Sequence, residues 1–223
     1  VLHTFSTENF HSICDQLCTQ DPELAFIVKT YGYPPMWTRP NTFESLIHII
    51  LEQQVSLASA LAALNKLREK LTKITPAKLL ELTDEELKAC YFSRQKMSYA
   101  RFLAQAIQSK AFNPKAMEKL PDEEVRKALV ALKGIGNWTA DVYLMFVLQR
   151  ADIFPIGDLA AVNALKQVKK LPKDTPPEKL LGISAAWQPY RTVATMILWH
   201  YYLSLRVKDT AAETEKIKKA VTL

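Results

Sequence analysis

Residues that start helices recur along this chain at short intervals, and most are followed by apolar residues three and four positions apart. Asp21-Pro22, Asn41 or Thr42, Ser56, Thr75-Pro76, Thr83 and Ser93 are the clearest. The side-chain oxygens of such residues accept amides that a helix leaves unpaired at its first turn, and Pro fits that turn because it has no N–H to satisfy. Phe43, Leu46, Ile47, Ile50 and Leu51 form one apolar stripe, and Leu57, Ala60, Leu61, Leu64, Leu67 and Leu71 form another. Thr83 with Glu86 has the spacing of a capping box. The chain has only 5 glycines and almost no runs of β-branched residues, so little is available to build a sheet. An all-α fold of short, capped helices is predicted.

The breaks divide it further. Gly32 is a stop for a second helix that Asp21-Pro22 opens, and the prolines between residues 33 and 40 exclude a helix interior there, which makes that segment a linker. Pro189 heads a last long helix, expected over residues 190–206, and the polar tail beyond Asp209 is expected to be frayed or loosely docked. With 223 residues, 48% of them hydrophobic, the chain can bury a sizeable core as one domain or as two lobes.

The formal net charge of +6 favours a polyanionic partner. The three cysteines show no C-x-x-C spacing; Cys14 and Cys18 share a helix face, but no further ligand stands near them at metal spacing. They read as buried thiols in a reducing compartment. No apolar run is long enough to span a membrane and no signal-peptide pattern opens the chain, so an intracellular protein without a membrane is expected.

The densest chemistry lies between Val130 and Ala161. In Leu132-Lys133-Gly134-Ile135-Gly136-Asn137-Trp138 the glycines permit a turn with positive φ and leave no Cβ in the way of a ligand. Asn137 is placed to cap the following helix, whose free amides would seat a phosphate. An ordinary tight turn between packed helices has the same signature. Farther on, Asp158 follows Pro155-Ile156-Gly157 and opens another helix, where it serves as an N-cap, or as an ionised carboxylate whose negative charge the helix end stabilises.

The segment L-K-G-I-G-N-W-T-A resembles the helix-hairpin-helix element of the DNA glycosylase superfamily named for that hairpin, a following Gly/Pro-rich loop and an Asp. Within it the chain most resembles the alkylpurine group, 3-methyladenine DNA glycosylase II. The resemblance covers residues 43–202 and includes F-E-S-L-I-H-I-I-L-E-Q-Q-V-S, F-S-R-Q-K-M-S-Y-A-R-F-L-A, F-P-I-G-D-L-A and W-Q-P-Y-R-T-V-A-T-M-I-L-W. It implies two helical lobes with an active-site cleft between them: residues 36–131 as one lobe, residues 1–35 with 132–223 as the other, carrying hairpin and Asp. The β-rich N-terminal domain of some relatives is not expected.

By the same resemblance Asp158 is the catalytic carboxylate, stabilising a sugar that becomes cationic as the base leaves. Trp138 and Trp199 match the aromatics of a pocket for a flipped base. The family's hairpin implies a DNA phosphate on the amides of Gly134 and Gly136, and a Na or Mg ion on the carbonyls of Val130, Leu132 and Ile135 that bridges to it; no other cofactor is implied. Gln54 matches the wedge inserted into the duplex, and Lys133, Arg94, Lys96 and Arg191 are candidate phosphate contacts. For Trp37 and Trp187 a core position is expected, and His48 and His200 are expected to be structural.

Three positions depart from the family pattern. Lys133 stands where Pro is usual, and Val142 where some members carry Tyr. Trp138 occupies the position at which strand-cleaving members hold a Lys; an indole cannot form a Schiff base, so hydrolysis without lyase chemistry is expected. The implied function is monomeric excision of alkylated purines such as 3-methyladenine and 7-methylguanine from duplex DNA. The alternative is a non-catalytic lesion-recognition module, which would not need Asp158.

Overall fold

Asp21 ends one helix and begins the next, because its side chain accepts the amides of Glu23 and Leu24 while Pro22 occupies the first turn. The two helices are α1 (Phe10–Gln20) and α2 (Pro22–Tyr31), and α2 stops at Gly32 with φ 83°. A computed structural model describes residues 2–221, the side chains of 207–221 excepted. After the proline segment the chain continues through α3 (Phe43–Glu52), α4 (Leu57–Lys70), α5 (Pro76–Glu81), α6 (Asp84–Ala89) and α7 (Arg94–Gln108). Next come α8 (Pro114–Met117), α9 (Asp122–Val130), α10 (Asn137–Val142), α11 (Leu159–Val168), α12 (Pro177–Ser184) and α13 (Arg191–Val221). No β-strand occurs among the described residues.

Thr42, Ser56, Thr75 and Ser93 each accept the amide three residues on, and the Thr83–Glu86 capping box forms in both directions. These caps are local, so spacing alone locates them. The last helix does not stop near residue 206 as expected: its backbone is helical to Val221, and side-chain packing of the tail lies outside the described residues.

The chain divides into two compact units, one of His3–Trp37 with Ala151 onward, the other Thr38–Arg150. The first change of unit falls within the proline segment. The return falls at residue 150 and not at 131, which puts the hairpin in the same unit as α3 to α9. The cause is that α10 runs without a break into a π-helical turn, Tyr143–Val147, whose residues apart from half-buried Phe146 are buried, and which packs against α3. Leu148 N–H reaches Tyr143 O at 3.1 Å, Tyr143 Oη donates to Asn41 at 2.8 Å, and the amide of Arg39 donates to Phe146 O.

In the first unit α13 packs on α1, α2 and α11. Its core is pinned by buried Trp187, whose Nε1 donates to Asp21 Oδ2 at 2.8 Å; Lys169 Nζ meets the same oxygen at 2.8 Å. Trp187 is the core residue expected, whereas Trp37 is only half-buried. In the second unit α3 lies centrally, against α4 and α7. Its Glu52 is buried and takes the Arg39 guanidinium on both carboxylate oxygens, with His48 3.5 Å away.

Candidate active site

The segment leading to Asp158 is fixed to the start of α13. Thr192 N–H donates to Ala151 O at 2.9 Å, Ile153 N–H donates to Thr192 Oγ1 at 3.1 Å, and Phe154 packs on Trp187. Arg191 closes on Asp152 through Nε at 2.6 Å and Nη2 at 3.0 Å. Then Asp158 N–H donates to Pro155 O at 2.8 Å and turns the chain into α11. Arg191, expected at a phosphate, has Asp152 as a carboxylate partner, and this pairing holds the loop that carries Asp158.

Asp158 caps α11, its Oδ1 accepting the Ala161 amide at 2.8 Å. The same oxygen accepts the indole N–H of Trp199 at 2.9 Å. A carboxylate gripped on one oxygen by two donors has its plane set. Trp199, expected as an aromatic wall, is a donor to the carboxylate. Leu159, the next residue, is 77% exposed. His200 has the structural role expected, bonded to Tyr31 O at 2.9 Å.

In the other unit, α9 ends at Val130 and the hairpin closes through Leu132 N–H to Leu129 O at 2.9 Å and Ile135 N–H to Leu132 O at 3.1 Å. Gly134 has φ 82°, and a Cβ there would fall 2.1 Å from the ring of Tyr99, so both backbone and neighbour require glycine. Gly136 differs: its φ is −101°, and an added Cβ would meet nothing within 4 Å. It leaves open room beside the turn. Neither glycine amide makes a backbone hydrogen bond among the described residues.

Asn137 does not cap α10; it is the first helical residue, Gly136 holds the cap position, and no side chain caps that end. Trp138 is half-buried in the first turn. Lys133 is exposed, its Nζ 4.2 Å from the centre of the Phe102 ring. Arg94 is exposed at the start of α7. Lys96, also expected at a phosphate, points inward and donates to Leu51 O at 2.6 Å, closing the end of α3; burial lowers its pKa. Gln54 sits at φ 57° in the exposed α3–α4 turn, followed by exposed Val55 and Leu57.

Val142 is buried, and so is Tyr143, so the aromatic beside the departure belongs to the core. Two residues of the hairpin's surroundings had no assigned role: Gln53, which bonds it, and Tyr99, which packs on Gly134. Their partners lie far off in sequence, and no local pattern marks them. Among the described residues no group of three or more His, Cys, Asp or Glu could hold a metal ion. The hairpin carbonyls are hard oxygen donors of the kind Na or Mg takes, and Leu132 O already accepts one amide. The cysteines are unbridged; burial, foremost, pushes the Cys14 thiol up to about 12, and Cys18 and Cys90 upward.

A helical chain with a Gly-x-Gly hairpin, a Gly/Pro loop and a carboxylate at the head of the next helix defines a class. The family model described as HhH-GPD superfamily base excision DNA repair protein matches residues 47–189. The chain belongs to that superfamily, in the branch that holds the 3-methyladenine DNA glycosylases. It is 32% identical over 180 residues to DNA-3-methyladenine glycosylase 1 of Schizosaccharomyces pombe, covering 79% of each chain. To the alkylbase DNA glycosidase-like protein mag2 of the same yeast it is 29% identical over 190 residues, 82% of this chain and 89% of that protein. It superposes with a TM-score of 0.77 and 29% identity on the solved S. pombe 3-methyladenine DNA glycosylase in complex with abasic DNA, covering 84% of this chain and 95% of that one.

Proposed function

We propose that this chain is a monofunctional DNA glycosylase that hydrolyses the N-glycosidic bond of alkylated purines, 3-methyladenine and 7-methylguanine among them, in duplex DNA. The observation that carries this reading is the Asp158 carboxylate, held on one oxygen by the Ala161 amide and the Trp199 indole. As the base leaves, positive charge develops on the deoxyribose, and a fixed carboxylate stabilises that charge without reorganising. Water then adds to the anomeric carbon, with Asp158 as its acceptor. An alkylated purine is already cationic and a good leaving group, so the reading needs no dedicated general acid. The indole of Trp199, whose N–H meets the carboxylate, is the aromatic surface assigned to the electron-poor base.

DNA contact is assigned to the second unit's hairpin. The amides of Gly134 and Gly136 take a backbone phosphate, Lys133 and Arg94 add positive charge, and Gln54 enters the duplex from its exposed turn. The carbonyls of Val130, Leu132 and Ile135 would hold a Na or Mg ion, which supplies charge to the same phosphate. Trp138 offers no amine, so no covalent sugar adduct forms. The protein acts inside the cell, as a monomer.

The test is release of free bases from methylated duplex DNA, followed by borohydride treatment of the reaction. Released 3-methyladenine or 7-methylguanine with no trapped protein–DNA adduct is expected. Tight binding to methylated or abasic duplex without release would overturn the catalytic reading and leave lesion recognition. A trapped adduct would overturn the monofunctional one.

A further inference from the structure

Gln53 ends α3 and is half-buried beside the hairpin of its own unit. Its Nε2 lies 3.0 Å from Gly134 O and 3.0 Å from Thr139 Oγ1. A carbonyl can only accept, so the amide must present its NH2 to Gly134, and its orientation follows from chemistry. One side chain thereby joins the turn glycine to the first turn of α10. We propose that Gln53 is a positioning residue for DNA binding: it holds the hairpin in the conformation whose amides receive a phosphate. This rests on the reading of the hairpin as a phosphate site.

The peptide between Gly134 and Ile135 is planar, so its carbonyl and its N–H point in opposite directions. Gln53 holds the carbonyl from one side; on the other, the Ile135 N–H donates to Leu132 O at 3.1 Å. The left-handed backbone of Gly134 allows that plane to turn over at low cost, since no Cβ opposes it. The Tyr99 ring covers the Cα, where the Cβ of any other residue would fall, but it bonds neither end of the peptide. Without Gln53, the short Leu132–Ile135 turn is left to oppose a flip, and a flip would aim the Gly134 carbonyl at Leu132 O, breaking that turn and loosening the hairpin that presents the Gly134 and Gly136 amides. The effect is on uniform binding of the backbone and not on the reacting sugar.

The experiment compares wild type with Gln53→Met, which keeps the length and loses the donor, and with Gln53→Asn, which keeps the amide but falls one methylene short. Duplex affinity is measured across a salt series, together with single-turnover base release and a melting curve. Both variants are expected to bind about tenfold more weakly, with the slope of log K against log salt shallower by about 0.9, because the phosphate lost from the amides is the one whose charge Lys133 is assigned to neutralise. The loss should appear in KM while the rate at saturation holds. A merely structural role would lower the melting temperature and leave the slope unchanged. If wild type binds with a steep salt dependence and both variants keep that slope and KM, the proposal is overturned. If wild type shows no salt-dependent duplex binding, the hairpin reading itself falls and this one with it.

Discussion

Asp158→Asn is expected to remove the chemistry while leaving the fold. Asn is as good an N-cap as Asp, and its Oδ1 accepts from the same two donors, the Ala161 amide at 2.8 Å and the Trp199 indole at 2.9 Å. Stability should therefore change by less than about 1 kcal/mol. What disappears is a full negative charge facing a sugar that becomes cationic. Two unit charges about 4 Å apart in a medium of effective dielectric constant about 20 attract by about 4 kcal/mol. At about 1.4 kcal/mol per decade, a loss of that size slows base release by about a thousandfold. The assay is single-turnover release of 3-methyladenine from methylated duplex, with thermal melting and affinity for abasic duplex measured on the same preparations. A folded variant that releases base within about tenfold of wild type would refute the electrostatic argument. One that loses abasic-DNA binding as well would show that Asp158 serves the grip and not the chemistry.

Two glycines that look alike in sequence should behave differently. Gly134→Ala should cost more than about 2 kcal/mol in denaturant unfolding, since the left-handed backbone and the Tyr99 ring both oppose a Cβ. Gly136→Ala should be within about 0.5 kcal/mol of wild type and should weaken duplex binding instead, because its Cβ meets open space on the proposed phosphate side. Arg39→Ala leaves the buried Glu52 charge without its bidentate partner and should cost about 3 kcal/mol, read by the same unfolding curves. Stability should fall on acidification. Burial raises the Asp21 carboxyl, but hydrogen bonds from Lys169, Trp187 and the Leu24 amide outweigh it and hold it below its usual range. Its contribution is complete above the unfolded value and is lost as pH drops through the folded one; Asp21→Asn should flatten that limb in melting curves. His48, lowered by burial first and by Arg39 next, has the same sign, because the unfolded chain takes up its proton earlier.

The sequence determined what depends on near neighbours. Helix starts at Asp21, Thr42, Ser56, Thr75, Thr83, Ser93 and Asp158 were legible because a cap reaches only two or three residues along the chain. Apolar spacing predicted the buried face of α3 for the same reason. The family motif brought Asp158, Trp138 and the glycine pair to notice as residue types at fixed offsets. Tertiary structure decided which charges and amides are engaged. Lys96 and Arg94 are near-equivalent in sequence, yet one closes α3 through Leu51 and the other is exposed. Arg191 meets Asp152, and Trp187 meets Asp21 from the far end of the chain. Sequence singled out Gln54 of the pair and gave Gln53 no role; only the turn between α3 and α4 put Gln53 beside the hairpin and Gln54 outside it. Pairings of that kind are set by how helices pack, which local spacing does not encode.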